Sequence, residues 1–276
     1  MTSEKPKISV VIRTRDKERC LESLLENLAL QTFLPSEIVI VNNYSSEKNK
    51  QSLENEMSYF RSFFRQKRIV FKIVALPDEE FSHAYSTNLG MHAAENELVC
   101  ITNAHSLPIS PHWLQDGVRH FKDPKVAGVS GFFFPHNEGT IFGRIEKMLY
   151  YFSQRVVLHQ DWCSTINCII RKSLWQVYPF DENLPRIIPQ TQKRGLEDFD
   201  WSKEMIFRGY KIVVDPKFSV FHSHEEGFNE IMRNIKGYFI YKRLQQQIIK
   251  LKRPRKSFSK SLVKSSKPNT NGCFIV

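Results

Sequence analysis

Four times in its first half the chain repeats one pattern: a short apolar run rich in β-branched residues, small polar residues, then an apolar stripe at helical spacing. The runs occupy 8–12, 37–41, 70–75 and 98–102. The first is followed by Cys20, Leu21, Leu24, Leu25, Leu28 and Leu30, and the second by Leu53, Met57, Phe60 and Phe64. A helical stretch over 83–95 follows the third, and Trp113-Leu114 opens one after the fourth. Runs that are apolar on both faces need cover on both faces, so the pattern predicts an α/β fold with a parallel sheet wound by right-handed crossovers. Ligands in such sheets lie beyond the carboxyl ends of the strands. Those ends read Arg13-Thr14, Asn42-Asn43 and Asn103-Ala104-His105, and a purely structural sheet does not need them all to be polar. Asn103 and His105 are two residues apart and point the same way on extended chain. The small Ala104 between them leaves room for a metal ion or a diphosphate.

Beyond Trp113 the alternation weakens. A strand is expected over 126–134, an amphipathic helix over 142–152 and another strand over 165–170. A helix beginning at Glu197 should run to about Arg208 and stop at Gly209, after which 211–214 pairs back into the sheet. Phe218 to Phe221 lead into His222-Ser223-His224, and a last helix is expected from Phe228 to about Leu251. The Lys/Ser-rich remainder has a composition that cannot form a core. The division expected is one domain over 1–240, in halves of about 1–110 and about 111–240, with 241–276 as a helix end and basic tail.

The 276 residues carry a net charge of +11, which implies an anionic partner. Much of the excess sits late, at Lys242, Arg243, Lys250, Lys252, Arg253, Arg255, Lys256, Lys260, Lys264 and Lys267. These bases have no interleaved aromatics, which argues against nucleic acid and for an acidic membrane surface. Cysteines at 20, 100, 163, 168 and 273 lack zinc-type spacing, and Cys20 and Cys100 read as small core residues. A reduced cytoplasmic compartment fits, with the protein peripheral at the inner face of a membrane. No apolar run approaches spanning length and Met1-Thr2-Ser3-Glu4-Lys5 is not a signal pattern. Cys273-Phe274-Ile275-Val276 has the C-a-a-X arrangement, which matters only in a eukaryotic cell.

Two adjacent acids, Glu197 and Asp198, open a helix. Carboxylates so placed repel, and one can take a raised pKa suited to a base; a helix N-terminus also favours acids for structural reasons. His222-Ser223-His224 reads either as a ligand segment or as a polar turn, and Asn42-Asn43 before Tyr44-Ser45-Ser46 is equally good turn chemistry. Trp113, Trp175 and Trp201 read as core or as acceptor-pocket walls.

The succession resembles the family-2 glycosyltransferases, inverting enzymes of the GT-A fold, especially rhamnosyltransferase-like members, over roughly residues 8–240. Residues 8–16 resemble their first strand, and Gln31-Thr32-Phe33-Leu34-Pro35-Ser36-Glu37 with 38–41 their second strand and its approach. Phe81-Ser82-His83-Ala84 with Thr87-Asn88-Leu89-Gly90 resembles the segment before their metal motif. Gly195-Leu196-Glu197-Asp198 is similar to their acidic base motif, and Asp215-Pro216 through His224 to their late histidine segment. The resemblance implies a Rossmann-like, mostly parallel central sheet. It implies transfer of a sugar from a nucleotide-diphosphate donor, uridine or deoxythymidine diphosphate being the first guess, to a glycan or lipid-linked acceptor in surface polysaccharide synthesis. It makes Asp198 the base with Glu197 beside it, Arg13, Thr14, Asn42, Asn43, Asn88 and Asn103 donor-binding residues, and His105 and His222, with His224 as the alternative, ligands of a divalent cation, Mn2+ or Mg2+. The chain departs from the family where Asn42-Asn43 stands for an acidic strand end and Asn-Ala-His for Asp-x-Asp. Those departures leave open a domain that binds nucleotide or glycan without turnover, and a metal-independent transferase.

Overall fold

The computed structural model describes residues 6–18, 20–134, 162–193, 195–222 and 228–252. Ten strands are described: β1 (Ile8–Arg15), β2 (Glu37–Tyr44), β3 (Val70–Pro77), β4 (Leu98–Asn103), β5 (Ser106–Pro108), β6 (Val126–Ser130), β7 (Phe133–Phe134), β8 (Asn167–Arg171), β9 (Lys211–Val214) and β10 (Val220–His222). The α-helices are α1 (Leu21–Ala29), α2 (Glu47–Gln66), α3 (His83–Ala93), α4 (Trp113–Val118), α5 (Lys172–Val177), α6 (Leu184–Ile187), α7 (Glu197–Phe207) and α8 (Phe228–Lys252). Seven strands form one sheet in the order β3-β2-β1-β4-β8-β6-β9. The four strands expected from the alternation pair in parallel at one side of it, and β8 is antiparallel to both its neighbours.

Strand periodicity sorts the side chains into two cores. Ile8, Val10, Ile12, Ile38 and Ile40 face one side with the leucines of α1 and the Leu53, Met57, Phe60, Phe64 stripe of α2. Val11, Val39, Val41, Val99 and Ile101 face the other, against Met91 of α3 and Trp201 of α7. Trp113, Trp175 and Trp201 are all buried, which is the core reading. The caps follow local rules: Ser46 accepts the Asn49 N–H at 3.2 Å to start α2, and Ser82 accepts the Tyr85 N–H at 3.0 Å to start α3.

The apolar stretch 126–134 is not the single strand its composition predicts. It divides at Gly131: β6 lies in the large sheet, whereas β7 joins β10 and β5 in a second sheet of three. The backbone of Phe218 crosses so near that a Cβ on Gly131 would fall onto its carbonyl group. The strand expected over 165–170 begins later, at Asn167, because Thr165 belongs to the turn feeding it. The helix expected over 142–152, and with it His224, Cys273 and the basic tail beyond Lys252, lies outside the described residues. Among the described residues no helix is long and apolar enough to cross a membrane.

Gly131→Ala should therefore cost at least about 3 kcal/mol in denaturant unfolding, because backbone rather than a movable side chain must give way. Gly209→Ala is the comparison: its φ of +87° is strained for alanine but nothing lies within 4 Å, so the loss should be nearer about 1 kcal/mol.

Candidate active site

Register builds the site. Arg13 at the end of β1 lies opposite Val41 of β2 and Asn103 of β4, so its side chain projects over the face that α3 and α7 cover. One guanidinium nitrogen donates to Thr87 Oγ1 at 2.9 Å. The other donates to Asn103 Oδ1 at 2.9 Å and Thr165 Oγ1 at 3.2 Å. Burial lowers the Arg13 pKa, and the nearby charges of Glu197 and Asp198 work against that lowering.

Glu197 and Asp198 open α7 as expected, but they are not the solvated acids of an ordinary helix start: they are only 4% and 7% exposed. The chain enters through two left-handed residues, Gly195 at φ +71° and Leu196 at φ +86°. For leucine that conformation costs roughly 1–2 kcal/mol, and it turns both carboxyls inward. Asp198 Oδ2 accepts the Thr165 N–H at 3.1 Å and Oδ1 the Phe199 N–H at 2.6 Å. Burial first, and then the Glu197 charge, push the Asp198 pKa up to about 7, against those two N–H bonds and Arg13. Burial raises Glu197 as well, with Arg13 opposing. The two carboxyls titrate as a coupled pair, both raised by burial.

Beside the pair a cavity of about 250 Å³ is lined by Phe81, His83, Glu182, Arg186, Gln192 and Glu197 among others. Burial, then Arg13, lowers His83 to about 4, so a neutral imidazole faces this space. Its ring meets Phe81 edge-on, with centroids 5.4 Å apart.

The two candidate metal ligands come together through the small sheet, where β5 and β10 pair with Ser106 opposite His222. The His105 and His222 ring centroids are 4.5 Å apart. His105 Nδ1 meets the carboxylate of Glu18, and His222 Nδ1 lies 2.9 Å from Ser106 Oγ. A carboxylate on Nδ1 is the outer-sphere partner that ligating histidines have, because it holds the proton on Nδ1 and leaves Nε2 to act as donor. Two imidazoles so placed could supply at most part of a divalent cation's ligands. Among the described residues no group of three or more His, Cys, Asp or Glu is arranged to hold one.

The remaining expected donor contacts divide. Thr14 donates from Oγ1 to the Asp16 carbonyl at 3.1 Å, and Asp16 accepts from the Ser45 N–H and Oγ at 2.8 and 2.7 Å, tying together the loops after β1 and β2. Asn42 is fully buried and neither its amide N nor its O has a hydrogen-bond partner. Asn43 is buried and donates weakly to the Leu76 carbonyl at 3.4 Å. Asn88 is not brought to the strand ends. Its Oδ1 accepts from Trp175 Nε1 and the Phe180 N–H at 2.9 and 3.2 Å. Its Nδ2 donates to the Phe180 carbonyl and Glu182 at 2.9 and 2.7 Å. That amide is spent fastening α3 to the segment after α5. Thr165, Glu18 and His83 complete the site without having been singled out as site residues; only His83 stood in a recognisable motif.

A mostly parallel sheet with a buried acid pair and a histidine pair beyond its carboxyl ends is an arrangement of the GT-A type, and the solved structures agree on the fold. The mannosyltransferase PcManGT of Pyrobaculum calidifontis, solved with GDP-Man and Mn2+, superposes with a TM-score of 0.58 at 18% identity over 82% of this chain and 59% of its own. S. aureus TarS 1-349 gives 0.52 at 19% identity over 83% of this chain and 64% of its own. Its complex with UDP-GlcNAc gives 0.52 at 19% over 80% and 59%. This chain thus spans about three fifths of the length of those proteins. Comparison with curated proteins gives no match. The model of glycosyl transferase family 2 matches residues 9–175, and the chain belongs to that family.

The raised Asp198 pKa has a consequence for stability that needs no substrate. Between the unfolded value of 3.8 and the folded value of about 7 the folded state keeps a proton that the unfolded state has released, so stability falls as pH rises through that window. From about pH 4 to pH 8, urea unfolding of the parent should lose up to about 4 kcal/mol relative to Asp198→Asn. A constant gap between the two curves would show that the carboxyl titrates normally.

Proposed function

We propose that this protein is an inverting glycosyltransferase that moves a sugar from a nucleotide-diphosphate donor to a hydroxyl of a glycan or lipid-linked acceptor, in the synthesis of a surface polysaccharide. The observation that carries this reading is Asp198, a buried carboxylate with a pKa of about 7, held by the Thr165 N–H beside an open cavity. A base of that pKa is half ionised at neutral pH and strong enough to take a proton from a hydroxyl as it attacks. The acceptor oxygen bonds to the anomeric carbon as the bond to the diphosphate oxygen breaks. The hydroxyl proton goes to Asp198, and the diphosphate departs as an anion on the opposite face of the sugar. Arg13 holds Thr165, and with it the carboxylate, while its charge keeps the acid pair ionisable. The cavity beside Glu197 takes the acceptor.

His105 and His222 would hold a divalent cation, which when bound neutralises the charge developing on the diphosphate. The bound GDP-Man and Mn2+ of the PcManGT structure support this. The expectation remains Mn2+ or Mg2+, with Mn2+ the ion in that neighbour's structure. A second reading, transfer without a metal, rests on Asn103, which stands in place of a carboxylate and whose Oδ1 accepts from the Arg13 guanidinium at 2.9 Å. The protein would work at the cytoplasmic face of a membrane, with the basic tail on acidic lipid.

The test is diphosphate release from a panel of uridine-, thymidine- and guanosine-diphosphate sugars. Asp198→Asn should lower turnover roughly 100- to 10,000-fold with donor binding retained in calorimetry. Unchanged release in that variant would remove Asp198 as the base. In the same assay a chelator should abolish turnover, Mn2+ should restore it better than Mg2+, and His105→Ala should raise the Mn2+ concentration required. Full activity in chelator would establish the metal-free reading.

A further inference from the structure

At the other end of the sheet, away from the acid pair, the exit of α2 and the start of β3 form a groove of about 330 Å³ lined by Arg61, Arg65, Arg68, Ile69, Val70 and Phe71. The three arginines are exposed, and among the described residues their side chains enter no ion pair or hydrogen bond. Arg61 and Arg65 are four apart on one helix face, a spacing at which like charges repel, and Arg68 follows in a left-handed turn at φ +60°. Nothing in the packing of α2 calls for them, since that helix is seated by Leu53, Met57, Phe60 and Phe64. Between the guanidiniums the floor is apolar: Val70 is 50% exposed at the free edge of the sheet. Guanidinium forks around an apolar floor match a phosphate group carried on a lipid.

The direction of the chain identifies the occupant. β6 and β9 run the same way as β1 to β4, because β8 is antiparallel to both β4 and β6 and β9 is parallel to β6. The starts of β3 and β9 therefore lie at one end of the sheet, opposite Arg13 and Asn103. α7 descends to that end, and Lys252, where the described chain stops, donates to Glu204 near its exit at 3.0 Å. The sequence that follows contains Arg253, Arg255, Lys256 and Lys260. The described chain thus stops at the same end of the sheet as the groove, with a basic sequence still to follow. We propose that this end docks on an acidic phospholipid surface, with Arg61, Arg65 and Arg68 gripping headgroup phosphates as a second contact beside the tail. This holds the acid pair on the side away from the bilayer. The inference does not depend on the transferase reading, because binding is measured without turnover.

The experiment is flotation of the full chain with vesicles of phosphatidylcholine alone or mixed with phosphatidylglycerol, at fixed low ionic strength. The parent should partition onto the acidic vesicles only. Arg61→Gln/Arg65→Gln, which leaves the Arg68 turn untouched, should lower the partition coefficient about thirtyfold, and Arg61→Lys/Arg65→Lys should keep most of it. Circular dichroism of each variant confirms an intact fold. Unchanged partition in the Gln pair, or complete loss of binding on neutralising Arg255, Lys256 and Lys260 alone, overturns the groove as a membrane contact. So does a parent dimer on size exclusion that the Gln pair dissociates, or an oligonucleotide that displaces the protein from acidic vesicles through this groove.

Discussion

The half-buried guanidinium of Arg13 is the contact on which the site depends. It joins the end of β1 to α3 through Thr87, to β4 through Asn103 and to the turn before β8 through Thr165. A cation taken out of water is costly unless acceptors and counter-charge surround it. Here the acceptors come from three elements and the counter-charge from Glu197 and Asp198. The dependence is mutual: without the cation the acid pair would ionise less readily, and without the acids the cation would be stranded. Lysine could supply the charge, but one ammonium cannot span acceptors spread over three elements as a planar fork does.

The histidine pair rests on a different part of the fold. His222 reaches His105 because β10 pairs with β5 instead of continuing the main sheet. That arrangement depends on the chain leaving the main sheet at Gly131, where no Cβ is tolerated against Phe218. A backbone requirement far from the chemistry therefore fixes the spacing of two candidate ligands. Glu18, in the loop after β1, completes the arrangement by orienting His105, so the first crossover loop and the last strand meet over one imidazole.

The parallel half of the fold was legible because buried parallel strands write themselves as β-branched runs, and their polar ends point to the crevice. Arg13 and Asn103 were found that way, and the register set them side by side. The break at Gly131 was not legible, since it answers to a chain segment 87 positions away that no local pattern records. Asn88 misled for a similar reason. Its motif looked like donor recognition, but its partners Phe180 and Glu182 lie 92 and 94 positions further on. Thr165 serves Asp198 through its backbone N–H and Arg13 through its hydroxyl, and both partners lie far along the chain, so no local pattern announces it. Glu197-Asp198 was visible as a pair, but its burial, which sets the Asp198 pKa, comes from the fold around it.

That burial also explains the close involvement of the last helix. α7 begins without a side-chain cap and behind a left-handed leucine, so its first turn would not hold its shape on local preferences alone. Leu244 and Ile248 of α8 pack with Leu196 and Phe199 in a third apolar cluster, clamping the strained entry from outside. At the far end Lys252 donates to Tyr178 Oη at 2.8 Å and pairs with Asp200 at 3.1 Å and Glu204 at 3.0 Å. Burial opposes the lysine's charge, yet Asp200, Tyr178 and Glu204 outweigh it and raise the Lys252 pKa. The helix that carries Asp198 is thus held by Arg13 and apolar packing at its start and by an ionic knot toward its end. A carboxylate with a pKa tuned by burial keeps that pKa only while its surroundings stay closed, so α8 belongs to the architecture of the site as much as the strand ends do.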